Sequence, residues 1–376
     1  MIQRSRYADG LAALSNGTLV SGRIATWAAE HGLPTFGWER EYGRFHPGQS
    51  PWAVLAYAHP HGLAIRVDVA TTPRDWEQIS VVPAAADPGL PGLAAVLARL
   101  SNPRIVRYRP GHRCTVHGQT PQGPIFVKVA PGGAQVHADA ERLWPIRAAL
   151  PFAIAEPRGW DERTDSAWYG VVPGRPIVAD VLGPDGALVV HRLATALAAL
   201  AAAPVQPSRT EGPHEQLARS RRAARRAAAA VPELREPLAT VLSDLECVHD
   251  RLIRKPLVPV HGAPHMRQWL DDGGRLGLID FDRFALGEPE LDLATFLAEL
   301  DTESDRRLPM TDLEAAAVAG FEDNGVGLDP ARLALYRAHK RLAKVTRTAC
   351  SLRADGDQRA VRHLRGVEAA LLGACS

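Results

Sequence analysis

The order of hydrophobic patterns along the chain constrains its fold more than any other feature. Strand-like alternation fills the first third, and helical periodicity fills most of the rest. WAVLAYA (52–58) and LAIRVDVA (63–70) alternate around a His59–Gly62 turn and read as strands. A short helix is expected over Leu19–Glu30, stopping near Gly32 and Pro34, and another over LAAVLARL, after the Pro- and Gly-rich stretch 83–92. A second β unit runs from Ile105 to Ala130, and a strand pair is expected within Ser166–Val172. Helices are expected at His191–Ala202, His214–Ala230, Glu236–Leu252, Asp292–Leu300, Asp312–Asn324, Pro330–Ser351 and Gln358–Leu372. Strands first and helices after give an α+β chain with two lobes.

Composition narrows the partners. A net charge of +2 gives no strong pull toward nucleic acid or membrane. No apolar run approaches the ~20 residues of a membrane span, and MIQRSRYADG lacks the layout of a signal peptide. Cys114, Cys247, Cys350 and Cys375 lie far apart without CxxC spacing, which argues against zinc and disulfides and for a cytoplasmic protein. Only Lys128, Lys255, Lys340 and Lys344 are Lys among 44 basic residues, so a Lys inside an apolar strand carries weight.

The two β units share an outline. YGRFHPGQ (42–49) resembles VRYRPGHR (106–113), and AIRVDVA (64–70) resembles PIFVKVA (124–130). The likeness reads as a degenerate hairpin repeat, although aromatic-x-Pro-Gly turns also recur in unrelated β proteins. Asp68 falls where the second copy has Lys128.

The stretch VHGAPHMRQWLDDGGRLGLIDFDRF (260–284) bears the chemistry. On a strand, Asp280 and Asp282 point to one side, with Ile279 and Phe281 on the other. Two neighbouring carboxylates need a positive partner, and a divalent cation supplies one; solvated acids at a strand end are the plainer alternative. The preceding loop, with Gln268 before a tight Asp-Asp-Gly-Gly hairpin, favours the cation.

These residues resemble the aminoglycoside phosphotransferase and choline kinase-like family, which has a protein kinase-like fold. That family carries HGDxHxxN, a short hairpin, IDFD or IDWE, then Gly-Asp-Pro…Asp-Leu-Ala. This chain reads HGAPHMRQ, then LIDFDRFALGEPELDLA. The resemblance is close over 257–299 and looser over 105–345. It implies three parts: an N-terminal extension (1–100), a nucleotide-binding N-lobe (101–173) and a helical C-lobe with the catalytic loop and acceptor site (174–376). It implies ATP and Mg²⁺ as cofactors. Asp280 would be the main metal ligand, with Gln268 in the place of a ligating Asn and Asp282 assisting. Lys128 would contact phosphate, paired with Glu141 or, failing that, Asp139. Arg109 and Gly111 would lie in the turn over the phosphates, and the backbone of Val171 and Val172 would meet adenine. Asp292 and His261 would brace the loop.

One position departs from the family. Ala263 stands where the catalytic Asp takes the acceptor's proton. An Ala there suits an engineered substitution, a natural pseudokinase or an enzyme that recruits another base. The expected activity is phosphoryl transfer to a hydroxyl of a small molecule, impaired by Ala263. The alternatives are a pseudokinase that binds nucleotide or peptide as a regulatory or scaffold subunit, or a kinase of Ser/Thr in a biosynthetic peptide. Glu299, Asp301, Glu303 and Asp305 would suit a cationic acceptor. The Arg219, Arg222 and Arg226 face of a basic helix pulls the other way, or is a solvated surface. Residues 1–100 offer a surface for a protein partner, with Trp38, Trp52 and Trp76 packing the extra β unit.

Overall fold

The computed structural model describes residues 17–48, 51–70, 78–253, 255–303, 309–353 and 355–375. Trp76 lies outside these residues, as do the side chains of Glu303 and Asp305. Helix α1 (Thr18–Glu30) precedes an antiparallel meander of β1 (Glu39–His46), β2 (Trp52–Ala58), β3 (Ala64–Ala70) and β4 (Gln78–Pro83). Helix α2 (Leu93–Arg99) leads to a five-stranded sheet in the order β5 (Ser101–Arg109), β6 (Arg113–Thr120), β7 (Gly123–Val129), β10 (Ser166–Gly170), β9 (Pro157–Asp161). Helix α3 (Ala134–Leu143) and the short β8 (Phe152–Ala153) lie between β7 and β9.

The two repeat-like segments occupy corresponding places, because AIRVDVA forms β3 and PIFVKV falls within β7, each the third strand of its meander. Alternation sets their faces. Ile125, Val127 and Val129 are buried, while Phe126 and Lys128 face the other way.

The helical part contains α4 (Gly186–Ala201), α5 (Pro213–Ala230), α6 (Arg235–Arg251), α7 (Glu290–Glu303), α8 (Met310–Glu322), α9 (Pro330–Ala349) and α10 (Gly356–Cys375). The start of α9 shows local control: Asp329 accepts the N–H groups of Ala331 (3.0 Å) and Arg332 (3.4 Å), and Pro330 fills the first turn. Between α6 and α7 run β12 (Val258–Val260), β13 (Trp269–Asp271), β14 (Leu276–Leu278) and β15 (Ala285–Gly287). The β13–β14 hairpin also pairs with β11 (Arg175–Pro176) and β8, which ties it to the segments flanking the second sheet.

Residues 17–100 have no core of their own. Val20 and Ile24 of α1 and Leu55 and Val67 of the first sheet share one apolar cluster with α5, α6, α9 and α10. Ala56 and Ala64 join a second cluster with Val116 and Val127 of the other sheet. The segment is thus a strut between the two parts, and its apolar face is covered within the chain rather than held open for a partner. Trp38 is half-buried against the first cluster, whereas Trp52 is exposed and stacks on His46 at 3.9 Å. Among the described residues no helix is long and apolar enough to cross a membrane.

Candidate active site

The sheet and the hairpin meet at one cluster of charge. Lys128 Nζ donates to Asp280 Oδ1 at 2.6 Å and to Asp282 Oδ1 at 2.5 Å. Arg113, at the start of β6, donates to Asp280 at 3.3 Å and also to Asp282. The cluster therefore joins residues 152 positions apart in sequence. Two cations offset two anions, which is what half-buried charges require. Burial alone would raise the Asp280 carboxyl, but Lys128 and then Arg113 outweigh it and hold it well below the carboxylate range. Burial pulls Lys128 down, and Asp282 and Asp280 more than restore it.

Local backbone aims the acids. Strand β14 ends at Leu278, so Asp280 and Asp282 do not converge by strand alternation as the sequence implied. Asp280 has φ 69°, a left-handed conformation that Asp tolerates better than most residues and that turns its carboxylate toward Lys128. Gln268 locks it there: its Nε2 donates to Asp280 Oδ2 at 3.1 Å and its Oε1 accepts the His265 N–H at 2.9 Å. This corrects the expectation of Gln268 as a metal ligand, because its amide oxygen is committed to the loop and its NH₂ faces the site.

The catalytic-type loop hangs on Asp292 of α7. Its two oxygens accept the N–H groups of His261 and Gly262, each at 2.7 Å. Gly262 has φ 80°, and an added Cβ would come within 2.3 Å of the Arg283 carbonyl oxygen, so only glycine fits. His261 is buried, and burial pushes it down to about 4, so the ring is neutral and its Nε2 donates to the Ile279 carbonyl at 3.1 Å. Burial raises Asp292 to about 6 against its two N–H donors. A carboxyl that holds its proton more tightly in the folded chain favours folding below its unfolded value, and that contribution is lost as pH rises through about 6. Between pH 4 and 7, wild-type stability should fall relative to Asp292→Asn, which cannot ionise; unfolding midpoints across that range test it. Asp292→Ala leaves two buried N–H groups without acceptors and should cost about 2–5 kcal/mol at any pH.

Other expected residues lie elsewhere. Glu141 is exposed and faces His137 Nε2 at 3.4 Å, so it is not the partner of Lys128. Asp139 is buried but accepts from Arg142 and from the N–H and Oγ of Ser208. Helix α3 thus presents its acids away from β7, and the hairpin acids take the role. Arg109 and Gly111 lie in the β5–β6 turn, whose last residue, Arg113, reaches the acids. Val171 is exposed and Val172 is buried over Gly277, beside the link from β10 to β11. Glu299 is not open for a cationic acceptor, because it accepts the Met266 N–H at 2.6 Å and faces His265 at 3.6 Å. Asp301 is paired with Arg337 and Arg341.

Sequence reasoning missed two residues. The first is Arg113, and its signal was the register: Thr115 pairs with Lys128, so Arg113, two residues back, shares that face. The second is Asp87, in the Pro/Gly-rich stretch read as a connector. It is buried, accepts from the Tyr108 hydroxyl and the Gly111 N–H, each at 2.7 Å, and takes the Arg66 guanidinium at 2.6 Å. An added Cβ on Gly89 would lie 2.5 Å from Gly111 Cα. The first β unit therefore seats the β5–β6 turn from outside the second sheet.

The donor set suits a hard divalent cation. Asp280 and Asp282 already bring their Oδ1 atoms to one ammonium, and hard carboxylate oxygens with water and phosphate complete such a shell. Among the described residues no cluster of three or more His, Cys, Asp or Glu forms an all-protein cage, so phosphate oxygens would supply part of the coordination.

A family model, the phosphotransferase enzyme family, matches residues 111–364. No curated protein matches the chain. Among solved structures, the choline kinase LicA from Streptococcus pneumoniae aligns at 13% identity over 72% of this chain and 96% of its own, with a TM-score of 0.53. A choline/ethanolamine kinase family protein from Mesorhizobium loti aligns at 13% identity over 77% and 92%, with a TM-score of 0.51. The amicoumacin kinase hAmiN, in complex with AMP-PNP, Ca²⁺ and Ami, aligns at 12% identity over 74% and 92%, with a TM-score of 0.57. The fold is thus kinase-like, with a β-rich N-terminal part and a helical C-terminal part.

Proposed function

The chain belongs to the phosphotransferase enzyme family, and from that premise we propose that it binds ATP with Mg²⁺ between its lobes and transfers the terminal phosphoryl group to a small molecule. The observation that carries this reading is the cluster of Lys128 and Arg113 from the sheet with Asp280 and Asp282 from the hairpin. Phosphoryl transfer through a loose transition state needs positioning and charge compensation more than covalent chemistry. Lys128 and Arg113 supply positive charge for the phosphates, and Asp280 and Asp282 would hold Mg²⁺. Bound there, the metal would neutralise charge on the transferring group. Gln268 keeps Asp280 aimed, and Asp292 keeps the loop in place. The backbone of Val171 and Val172 is the proposed contact for the nucleotide base. The neighbour solved with AMP-PNP and Ca²⁺ supports a nucleotide and a divalent cation for this site.

Ala263 restricts the reaction. A methyl group cannot take a hydroxyl proton, and loss of a general base costs about 10²–10⁴ in rate. Hydroxyl acceptors should therefore react slowly. The same residue favours a second reading, a pseudokinase that keeps nucleotide binding without turnover. Calorimetric titration of ATP with and without Mg²⁺, paired with turnover by wild type and Ala263→Asp, separates them. The enzyme reading expects Mg²⁺-dependent binding and a gain of about 10²-fold or more on a hydroxyl acceptor in Ala263→Asp. Intact binding with no turnover in either protein supports the pseudokinase. Binding indifferent to Mg²⁺ removes both.

A further inference from the structure

Beside the loop that lacks its carboxylate, positive charge accumulates without partners. Arg283 follows Asp282 directly, and its Cβ would lie 3.0 Å from a Cβ built on Gly262, the neighbour of Ala263. Among the described residues, Arg283, Lys340 of α9 and Arg347 make no hydrogen bond or ion pair. Arg209 gives one Nη to the Asp282 carbonyl at 2.6 Å and keeps a buried Nε without a partner. Arg219 of α5 joins them, paired with Glu211. The nearby acids are occupied: Glu211 by Arg219 and Gln216, Asp292 by two backbone N–H groups, and Glu299 and Asp301 as described. The mutual proximity of the cations shows in their acidities. Burial, then Arg283 and Arg219, pushes Lys340 down to about 7. Burial, then Arg219, lowers Arg283. Cations crowded together without counter-charge form a site for an anion.

We propose that the acceptor is an anion seated against Arg283, Lys340 and Arg219, and that its attacking atom is a carboxylate or phosphate oxygen. This rests on the nucleotide-dependent transfer proposed above and names its acceptor class. It also accounts for Ala263. A hydroxyl must lose a proton as it attacks, whereas a carboxylate or phosphate oxygen is already ionised at neutral pH. The ionised oxygen forms a bond to the terminal phosphorus of the nucleoside triphosphate. The bridging P–O bond breaks, its electron pair leaves on the nucleoside diphosphate, and no proton moves. The product is an acyl phosphate or a phosphoric anhydride. A carboxylate at position 263 would repel such an acceptor, while the cations offset its repulsion from the triphosphate, on the order of 4 kcal/mol per charge pair 4 Å apart at a protein surface.

The test uses the intact chain with citrate and inorganic phosphate as probes. Calorimetry should find each anion bound more tightly than a polycationic amino sugar. Lys340→Gln and the exposed Arg283→Gln should each weaken the better anion about tenfold or more, and Ala263→Asp should do likewise. Tighter citrate assigns a carboxylate and tighter phosphate a phosphate. With ATP present, hydroxylamine traps an acyl phosphate as a hydroxamate, and ³¹P spectra reveal an anhydride; either product supports the step. Anion affinity equal in wild type and both variants, tighter binding of the polycation, or no product while ATP and probe are both bound overturns the proposal. ATP affinity is read separately, so a failure of the nucleotide reading appears there and not in the probe titration.

Discussion

Asp280→Asn should collapse the enhancement of ATP binding by Mg²⁺ to near one, a loss of at least about 100-fold in metal-dependent affinity. Asn keeps the size of the side chain but removes one of two hard anionic donors. In the free protein Asp280 and Asp282 are satisfied by Lys128 and Arg113. Nucleotide binding must open these pairs, so that the cations turn to phosphate and the acids to metal. Without metal, the two acids repel a triphosphate. Removing one of them should leave metal-free ATP binding unchanged or tighter, even as the metal-dependent part disappears. Simple unfolding of the site would weaken both, so the opposite signs separate a metal ligand from a structural residue. Retention of the Mg²⁺ enhancement in Asp280→Asn would sink the assignment. Lys128→Met should act in the other direction, leaving two carboxylates with Arg113 alone and weakening ATP with or without metal.

The second large effect lies outside the second sheet. Asp87→Ala should lower stability by about 3–5 kcal/mol and weaken Mg²⁺–ATP about tenfold. Burial would raise the Asp87 carboxyl, but the Gly111 N–H and the Tyr108 hydroxyl outweigh it and keep it ionised. Its removal leaves the Tyr108 hydroxyl and the Gly111 N–H without their acceptor and frees the β5–β6 turn. Arg113 begins the strand after that turn, so its grip on Asp280 and Asp282 loosens with it. Measuring chemical unfolding and ATP affinity together is decisive. A stability loss without an affinity loss at a temperature where the variant is folded would mean that the strut holds the fold but not the turn. Total stabilities of domains run about 5–15 kcal/mol, so an effect of this size is readily measured.

Much of this was legible in the chain. Alternation placed β2, β3 and the Lys128 face of β7, because a strand buried on one side must repeat every second residue. Helical periodicity placed α5, α6 and α9 to within a few residues. The charges of Lys128, Asp280 and Asp282, their rarity and their spacing pointed to one anion-and-metal site. The partners of these residues were not legible. Glu141 was a reasonable guess for Lys128 on sequence distance, yet α3 turns it into solvent. Gln268 looked like a ligand by position, and only the direction of its amide shows that it holds Asp280 instead.

The sequence by itself determined which segments are strands or helices, and it set the local chemistry of the His-Gly loop and the IDFD hairpin. These follow from steric and burial preferences that act over a few residues. Tertiary structure alone decided that Arg113 meets Asp282, that Asp87 of the first β unit seats the Gly111 turn, and that Lys340 and Arg283 face each other without an acid between them. Such relations depend on which distant side chains enter one volume, and charge compensation is a property of that volume rather than of any stretch of chain.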